Sequence, residues 1–192
     1  GNTAHLSSTP SPEPVYLGDY HGRLLKKVQK TMARYEKFSA KQLAAATDEQ
    51  KAAIPLVPPP SDRQVALVLR AYRDKNGTKA KPIGLHNALN HVIEELKIPT
   101  TLFGQECYTT LLTCCKTPKE AAKVMLIMTQ RDVPICVYSW SILIDIHARI
   151  GDFEGCNSVM DQMKEAGVPP DLPAYTSLLA ACFKVCNAGH VA

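Results

Sequence analysis

Seven cationic side chains lie within one short stretch: Arg23, Lys26, Lys27, Lys30, Arg34, Lys37 and Lys41, against a single acid, Glu36. The stretch carries +6, which leaves −2 for the rest of a chain whose formal net charge is +4. Lysine and arginine at this density neutralise a polyanion such as a nucleic-acid backbone. A solvated helix face is the competing reading of the same residues.

The other reactive side chains offer less. Seven cysteines stand at 107, 114, 115, 136, 156, 182 and 186. An odd count at irregular spacing is no disulfide framework and reads as reduced thiols, mostly in a core. No Cys-x-x-Cys pair occurs, adjacent Cys114 and Cys115 are badly placed to share one zinc, and the histidines show no matching spacing. A glycine-rich phosphate loop, His-Glu-x-x-His and a nucleophile elbow are all missing. Asp145, Asp152 and Asp161 read as solvated or helix-capping residues. A binding protein is expected, with no enzymatic activity, metal, cofactor or small-molecule substrate.

Helices must position these groups. Hydrophobic residues at 45% and charged ones at 21% give a chain that can bury a core. Its apolar runs, such as Val65 to Leu69 and Ile142 to Ile146, fall far short of the ~18 residues a membrane span needs. Residues 1–18, with Ser7-Ser8-Thr9-Pro10-Ser11-Pro12-Glu13-Pro14, read as an extended arm. Residues 19–60 read as a basic amphipathic helix from Asp19 to about Ala46, then a stiff linker at Pro55 to Pro60. Leu24, Leu25, Val28, Met32 and Tyr35 form the apolar stripe of that helix. After an N-cap at Ser61-Asp62, one helix runs to the Asn76-Gly77 break and another from about Pro82 to Leu96. Gly1 stands where Met would begin a chain, so the lack of a targeting segment carries no information.

From there the chain repeats itself. Ile98-Pro99, Val133-Pro134 and Val168-Pro169 recur every 35 residues, each preceded at the same interval by Lys97, Asp132 or Gly167. Trp140 and Tyr175 open similar blocks 35 apart, Met128 and Met163 keep that interval, and Tyr108 opens a related block upstream. Such a period specifies helix pairs that bury their apolar stripes by stacking on one another, an all-α solenoid. The expected units are 61–101, 102–136, 137–171 and 172–192, the last ending after its first helix. Gly151 falls at a chain reversal, where positive φ is favoured.

The segment Val137 to Asp171 closely resembles a pentatricopeptide repeat. Trp140, the Leu143-Ile144-Asp145 run, Gly151, Met163-Lys164, Gly167 and the closing Pro170-Asp171 carry the likeness. The unit from about Gln105 to Cys136 is a degenerate version, some three residues short, with the deficit expected in its inter-helix turn. The rival family is the tetratricopeptide repeat, whose period is about 34 and which has a small residue where Ile144 stands.

The resemblance implies that each repeat reads one base of single-stranded RNA through its fifth and last residues. In the central unit these are Ser141 and Asp171, suited to the edge of a purine such as guanine, with Tyr138 at the position that packs on bases. Helix capping is the other reading of Ser141 and Asp171. The preceding unit offers Thr109 and Cys136 with Glu106 at the packing position, and the following unit offers Thr176. The seven basic residues of 23–41 are the candidate contacts to RNA backbone.

Few and eroded repeats beside a basic helix imply a structural subunit or assembly factor of a large ribonucleoprotein, such as the mitochondrial ribosome, partnered by RNA and other proteins. Two alternatives stand: a sequence-specific factor for organellar transcript processing or stability, and a protein–protein scaffold. Family habit implies the mitochondrial matrix, with the plastid as the other organelle.

Overall fold

The computed structural model describes residues 17–45, 47–52, 54 and 57–188, and every regular element among them is helical. The elements are α1 (Leu17–Ala44), α2 (Asp48–Ala52), α3 (Asp62–Asn76), α4 (Leu85–Asn90), α5 (Gln105–Cys114), α6 (Pro118–Gln130), α7 (Val137–Arg149), α8 (Phe153–Glu165) and α9 (Leu172–Ala188). A π-helical turn, His91–Glu95, prolongs α4, and a 3₁₀ turn, Thr100–Leu102, precedes α5. The arm expected over 1–18 lies outside the described residues as far as 16, and its last two residues belong to α1. The proline linker is irregular over 57–60, while Pro55 and Leu56 lie outside the described residues. Helix α2 was not anticipated; Thr47 and Gln50 open it with a reciprocal pair of side chain–backbone bonds at 3.3 and 3.4 Å.

Helices α3, α5, α7 and α9 contact one another in succession and form one layer; α4, α6 and α8 pair with them in a second. Helix α1 rests on α3 and extends the first layer. Its Val28 and Met32 are buried there, with Leu24, Leu25 and Tyr35 packed against the same core. Leu69, Ile98, Leu111, Leu112, Met128, Ile144, Ile146 and Met163 are fully buried between the layers. This is the stripe that no single unit could bury alone.

The period of 35 has a local cause. Lys97, Asp132 and Gly167 all sit in the left-handed region, at φ of 55°, 52° and 72°. The next N–H turns back into the helix just completed: Val133 donates to Met128 at 2.9 Å and Val168 to Met163 at 3.0 Å. This closure satisfies terminal carbonyls and tucks an apolar residue under the helix end, and the proline that follows prevents continuation. In the first unit Ile98 donates instead to Val92, at 3.1 Å, because the π turn adds a residue to the ring.

Two boundaries differ from the sequence reading. The second helix of the first unit starts at Leu85, because Gly84 adopts φ 91° and gives its N–H to the Cys114 carbonyl at 2.8 Å. The three-residue deficit of the second unit lies in its first helix, not in its inter-helix turn. Helix α5 has 10 residues where α7 has 13, while Cys115–Thr117 and Ile150–Asp152 are turns of equal length. The Asp62 carboxylate fixes the late start of α5 by accepting the N–H groups of Gly104, Glu106 and Cys107 at 2.7, 2.8 and 3.1 Å. Arg131 holds the displaced residues as the 3₁₀ turn, donating to the Thr100 carbonyl at 2.6 Å and the Tyr108 hydroxyl at 2.8 Å.

Candidate nucleic-acid interface

Helix α7 begins five residues after the left-handed Asp132, and this register sets which side chains face the groove along the first layer. Tyr138, Ser141, Asp145 and Arg149 follow one another at helical spacing and line a single cavity of about 390 Å³. Arg73 and Asp74 of α3, Thr113 of α5, and Pro173 and Ser177 of α9 line it too. A neighbouring cavity of about 370 Å³ joins Arg70 and Arg73 to Thr109, Thr113 and Tyr138. Tyr138 is 58% exposed and stands between the two.

The structure brings Ser141 and Asp171 together. Ser141 Oγ donates to Asp171 Oδ1 at 2.7 Å and also lies 3.0 Å from the Val137 carbonyl. A hydroxyl has one proton, and the nearer, charged acceptor takes the stronger bond. Asp171 Oδ1 also accepts the Ala174 N–H at 3.0 Å, so this carboxylate caps α9. Both bonds fall on Oδ1, and among the described residues Oδ2 accepts none. The pair therefore offers a ligand two acceptors, the lone pairs of Oγ and Asp171 Oδ2, although Ser141 itself is 4% exposed.

The preceding unit is built differently. Thr109 Oγ1 lies 3.1 Å from Ser139 Oγ, which lies 3.5 Å from the Cys136 thiol, so the buried Ser139 stands between the fifth and last positions. Burial pushes the Cys136 thiol up, but hydrogen bonds with Ser139, Gln105 and the Tyr138 backbone outweigh it and hold the thiol below its ordinary value. Glu106 is exposed at its packing position. The residue before α5 is Gly104, which has no side chain to offer. Thr176 turns its hydroxyl back to the Leu172 carbonyl at 2.8 Å.

All seven basic residues of α1 are exposed, opposite Val28 and Met32. Arg23, Lys27, Lys30, Arg34, Lys37 and Lys41 follow steps of four and three, which places them on one stripe about 27 Å long. Lys26 flanks it. Helix α1 packs on α3, whereas the Ser141–Asp171 pair joins α7 to the start of α9, so the stripe and the pair are separate features. Sequence reading missed Arg70, Arg73, Lys79 and Arg149, which bring cations to the groove. Arg149 was visible in the helical spacing from Tyr138, but nothing local marks the other three.

Four cysteines, 107, 114, 115 and 156, are buried. Burial pushes the Cys114 and Cys156 thiols up to about 11, and Cys107 and Cys115 are raised further, so these are inert core thiols. Among the described residues no group of three or more His, Cys, Asp or Glu is placed to hold a metal ion. No described helix is long and apolar enough to cross a membrane.

Residues 135–184, which span α7, α8 and most of α9, match the model of the PPR repeat family. The chain is similar to a chloroplastic pentatricopeptide repeat-containing protein of Arabidopsis thaliana, 31% identical over 72 residues, or 38% of this chain and 11% of that protein. It is also similar to another Arabidopsis thaliana pentatricopeptide repeat-containing protein, 36% identical over 61 residues, 32% of this chain and 8% of the relative. The chain thus spans about a tenth of the length of these relatives. The tetratricopeptide alternative finds no support in these matches.

Proposed function

We propose, for a chain that belongs to the pentatricopeptide repeat family through residues 135–184, that it binds single-stranded RNA in an organelle as a structural subunit or assembly factor of a large ribonucleoprotein. The observation that carries the reading is the exposed six-cation stripe of α1. Such a stripe neutralises successive phosphates without regard to sequence, and its contribution fades as salt rises. The groove adds one base-sized place beside Tyr138, whose exposed ring offers a stacking face. The other units contribute little to base reading, since Ser139 intervenes between Thr109 and Cys136, and Gly104 has no side chain. Binding that grips backbone strongly and reads few bases suits a protein seated in a large assembly better than one that searches for a message. The mitochondrial ribosome is such an assembly.

One observation favours a second reading, in which the chain helps to recognise a transcript for processing or stability. The two acceptors of the Ser141–Asp171 pair complement two adjacent donors, and the Watson–Crick edge of guanine supplies them at N1 and N2. The matrix of the mitochondrion is the proposed location; the chloroplastic relative makes the plastid the other candidate.

In-cell ultraviolet crosslinking of the tagged full-length protein tests both. Crosslinks concentrated at a few places in organellar ribosomal RNA support the subunit reading. Crosslinks at discrete positions in transcripts overturn it in favour of the second. A protein that retains peptides but no RNA at moderate salt is a scaffold, and both fail.

A further inference from the structure

The loop between α3 and α4 is anomalous in length and in reach. It runs from Gly77 to Gly84, eight residues, where the turns 115–117 and 150–152 have three. A solenoid unit ordinarily touches only its neighbours. This loop passes the second unit and reaches the third: Lys79 Nζ lies 3.1 Å from Asp145 Oδ1, and Arg149 donates to the Lys79 carbonyl at 3.3 Å.

The loop is also built to hold its shape. Thr78 and Lys81 exchange backbone bonds at 3.0 and 3.1 Å, and the Thr78 hydroxyl accepts the Lys81 N–H as well, at 3.0 Å. Its ends are tied down by the close approach of Gly77 to the buried Ile83, where a Cβ would come within 2.7 Å of a methyl, and by the Gly84 bond to Cys114. The tip, Lys79, forms a wall of the cavity that holds Tyr138 and Ser141.

We propose that the Thr78–Lys81 turn is a strap that walls the groove beside Tyr138 and delivers Lys79 to a phosphate of the RNA strand lying there; this rests on the RNA-binding reading above. The Lys79 side chain is 81% exposed, so its pair with Asp145 is weak and easily exchanged. Asp145 is shared, since Arg149 Nε also lies 3.4 Å from its other oxygen. When a phosphate enters, Lys79 leaves one anion for another, and Arg149 remains to neutralise Asp145. Without RNA the pair with Asp145, together with the Arg149 bond to the Lys79 carbonyl, biases the strap toward the groove.

The test uses the full chain with variants Asp145→Asn, Lys79→Ala and the two combined. One readout is binding of a fluorescently labelled single-stranded RNA of randomised sequence; the other is amide hydrogen exchange of residues 78–81 without RNA. Asp145→Asn is expected to tighten RNA binding by about threefold and to speed exchange in the strap. Lys79→Ala is expected to weaken binding and to abolish the gain from Asp145→Asn in the double variant. A gain that survives intact without Lys79, or strap exchange unchanged by Asp145→Asn, overturns the strap while leaving RNA binding standing. Wild-type protein that retains no RNA overturns the general reading and the strap's ligand with it.

Discussion

The Asp62 carboxylate accepts the Gly104 N–H at 2.7 Å, and 42 residues of chain separate the two. A helix start normally draws its cap from the residue just before it, and Gly104 supplies no side chain. Asp62 substitutes from α3, collecting the Glu106 and Cys107 N–H groups as well. A Cβ at 104 would stand 2.8 Å from the Asp62 carboxyl carbon, so the glycine is what lets the carboxylate in. Asp62→Ala is expected to destabilise the fold by about 2–3 kcal/mol, the cost of a cap plus charge-assisted bonds left unmade. Gly104→Ala should cost a similar amount, and the double variant well short of the sum, because both break one contact. Urea unfolding of the four proteins measures this. Additive losses would show that Gly104 and Asp62 act separately.

The left-handed residues at the unit ends give a second, opposite-signed expectation. Lys97 and Asp132 hold φ near +55° with a Cβ that this region disfavours, whereas Gly167 has none. Asp132→Gly and Lys97→Gly should each raise stability by about 0.5–1 kcal/mol, the relief of strain exceeding the added freedom of the unfolded chain. Gly167→Ala should lower it by about 1 kcal/mol although no atom lies within 4 Å of the new Cβ. Thermal unfolding of the three variants checks the signs; a neutral Gly167→Ala would mean the φ value is not what selects glycine there.

These two relationships also mark how far the sequence could be read. The recurrence of Lys97, Asp132 and Gly167 before an apolar residue and proline is a local device, written in consecutive residues, and so the period and the all-α solenoid were legible. The basic stripe was legible for the same reason: steps of four and three are visible along a single helix. Asp62 capping α5 and Lys79 reaching Asp145 occur once each and join residues 42 and 66 apart, so no period announces them. The late start of α5 follows from the first of these, which is why its deficit was expected in the inter-helix turn. Ser141 and Asp171 were singled out by the resemblance of their unit to a pentatricopeptide repeat, but their hydrogen bond to each other, and hence the acceptor character of the pair, joins residues 30 apart that no sequence pattern links.

Asp152 yields a pH dependence. Its carboxylate binds His147 Nδ1 at 2.7 Å and accepts the Gly155 N–H at 2.9 Å, and these bonds, the one to His147 foremost, hold it below its ordinary value of 3.8. A depressed folded-state pKa adds stability above the unfolded value, and that contribution disappears as pH falls through the folded value. Asp152→Asn keeps the cap but loses the charge. The stability gap between wild type and this variant is therefore expected to be full well above the ordinary value of 3.8 and to close as pH falls through the lower folded value. Gly155→Ala should remove the same contribution, since its Cβ would collide with both the His147 ring and the Asp152 carboxylate. A gap independent of pH would mean that the Asp152 charge plays no part.

The Ser141–Asp171 pair separates capping from reading. Asp171→Ala removes the α9 cap and should cost about 1–2 kcal/mol, so weaker RNA binding by that variant would be uninformative by itself. Asp171→Asn retains an oxygen for the Ala174 N–H and the Ser141 hydroxyl, and is expected to be nearly neutral in stability. It nevertheless turns one of the two free acceptors into a donor. If the pair contacts a base edge, the preference at one RNA position should move away from guanine toward a base presenting an acceptor there, by about five- to tenfold, the discrimination of one good contact. Ser141→Asn should also change the preference at that same position and at no other. Enrichment of a randomised RNA pool on wild type and the two variants provides the comparison. Identical enriched sequences from all three would confine Ser141 and Asp171 to holding α7 against α9, and would leave backbone contact by α1 as the basis of RNA binding.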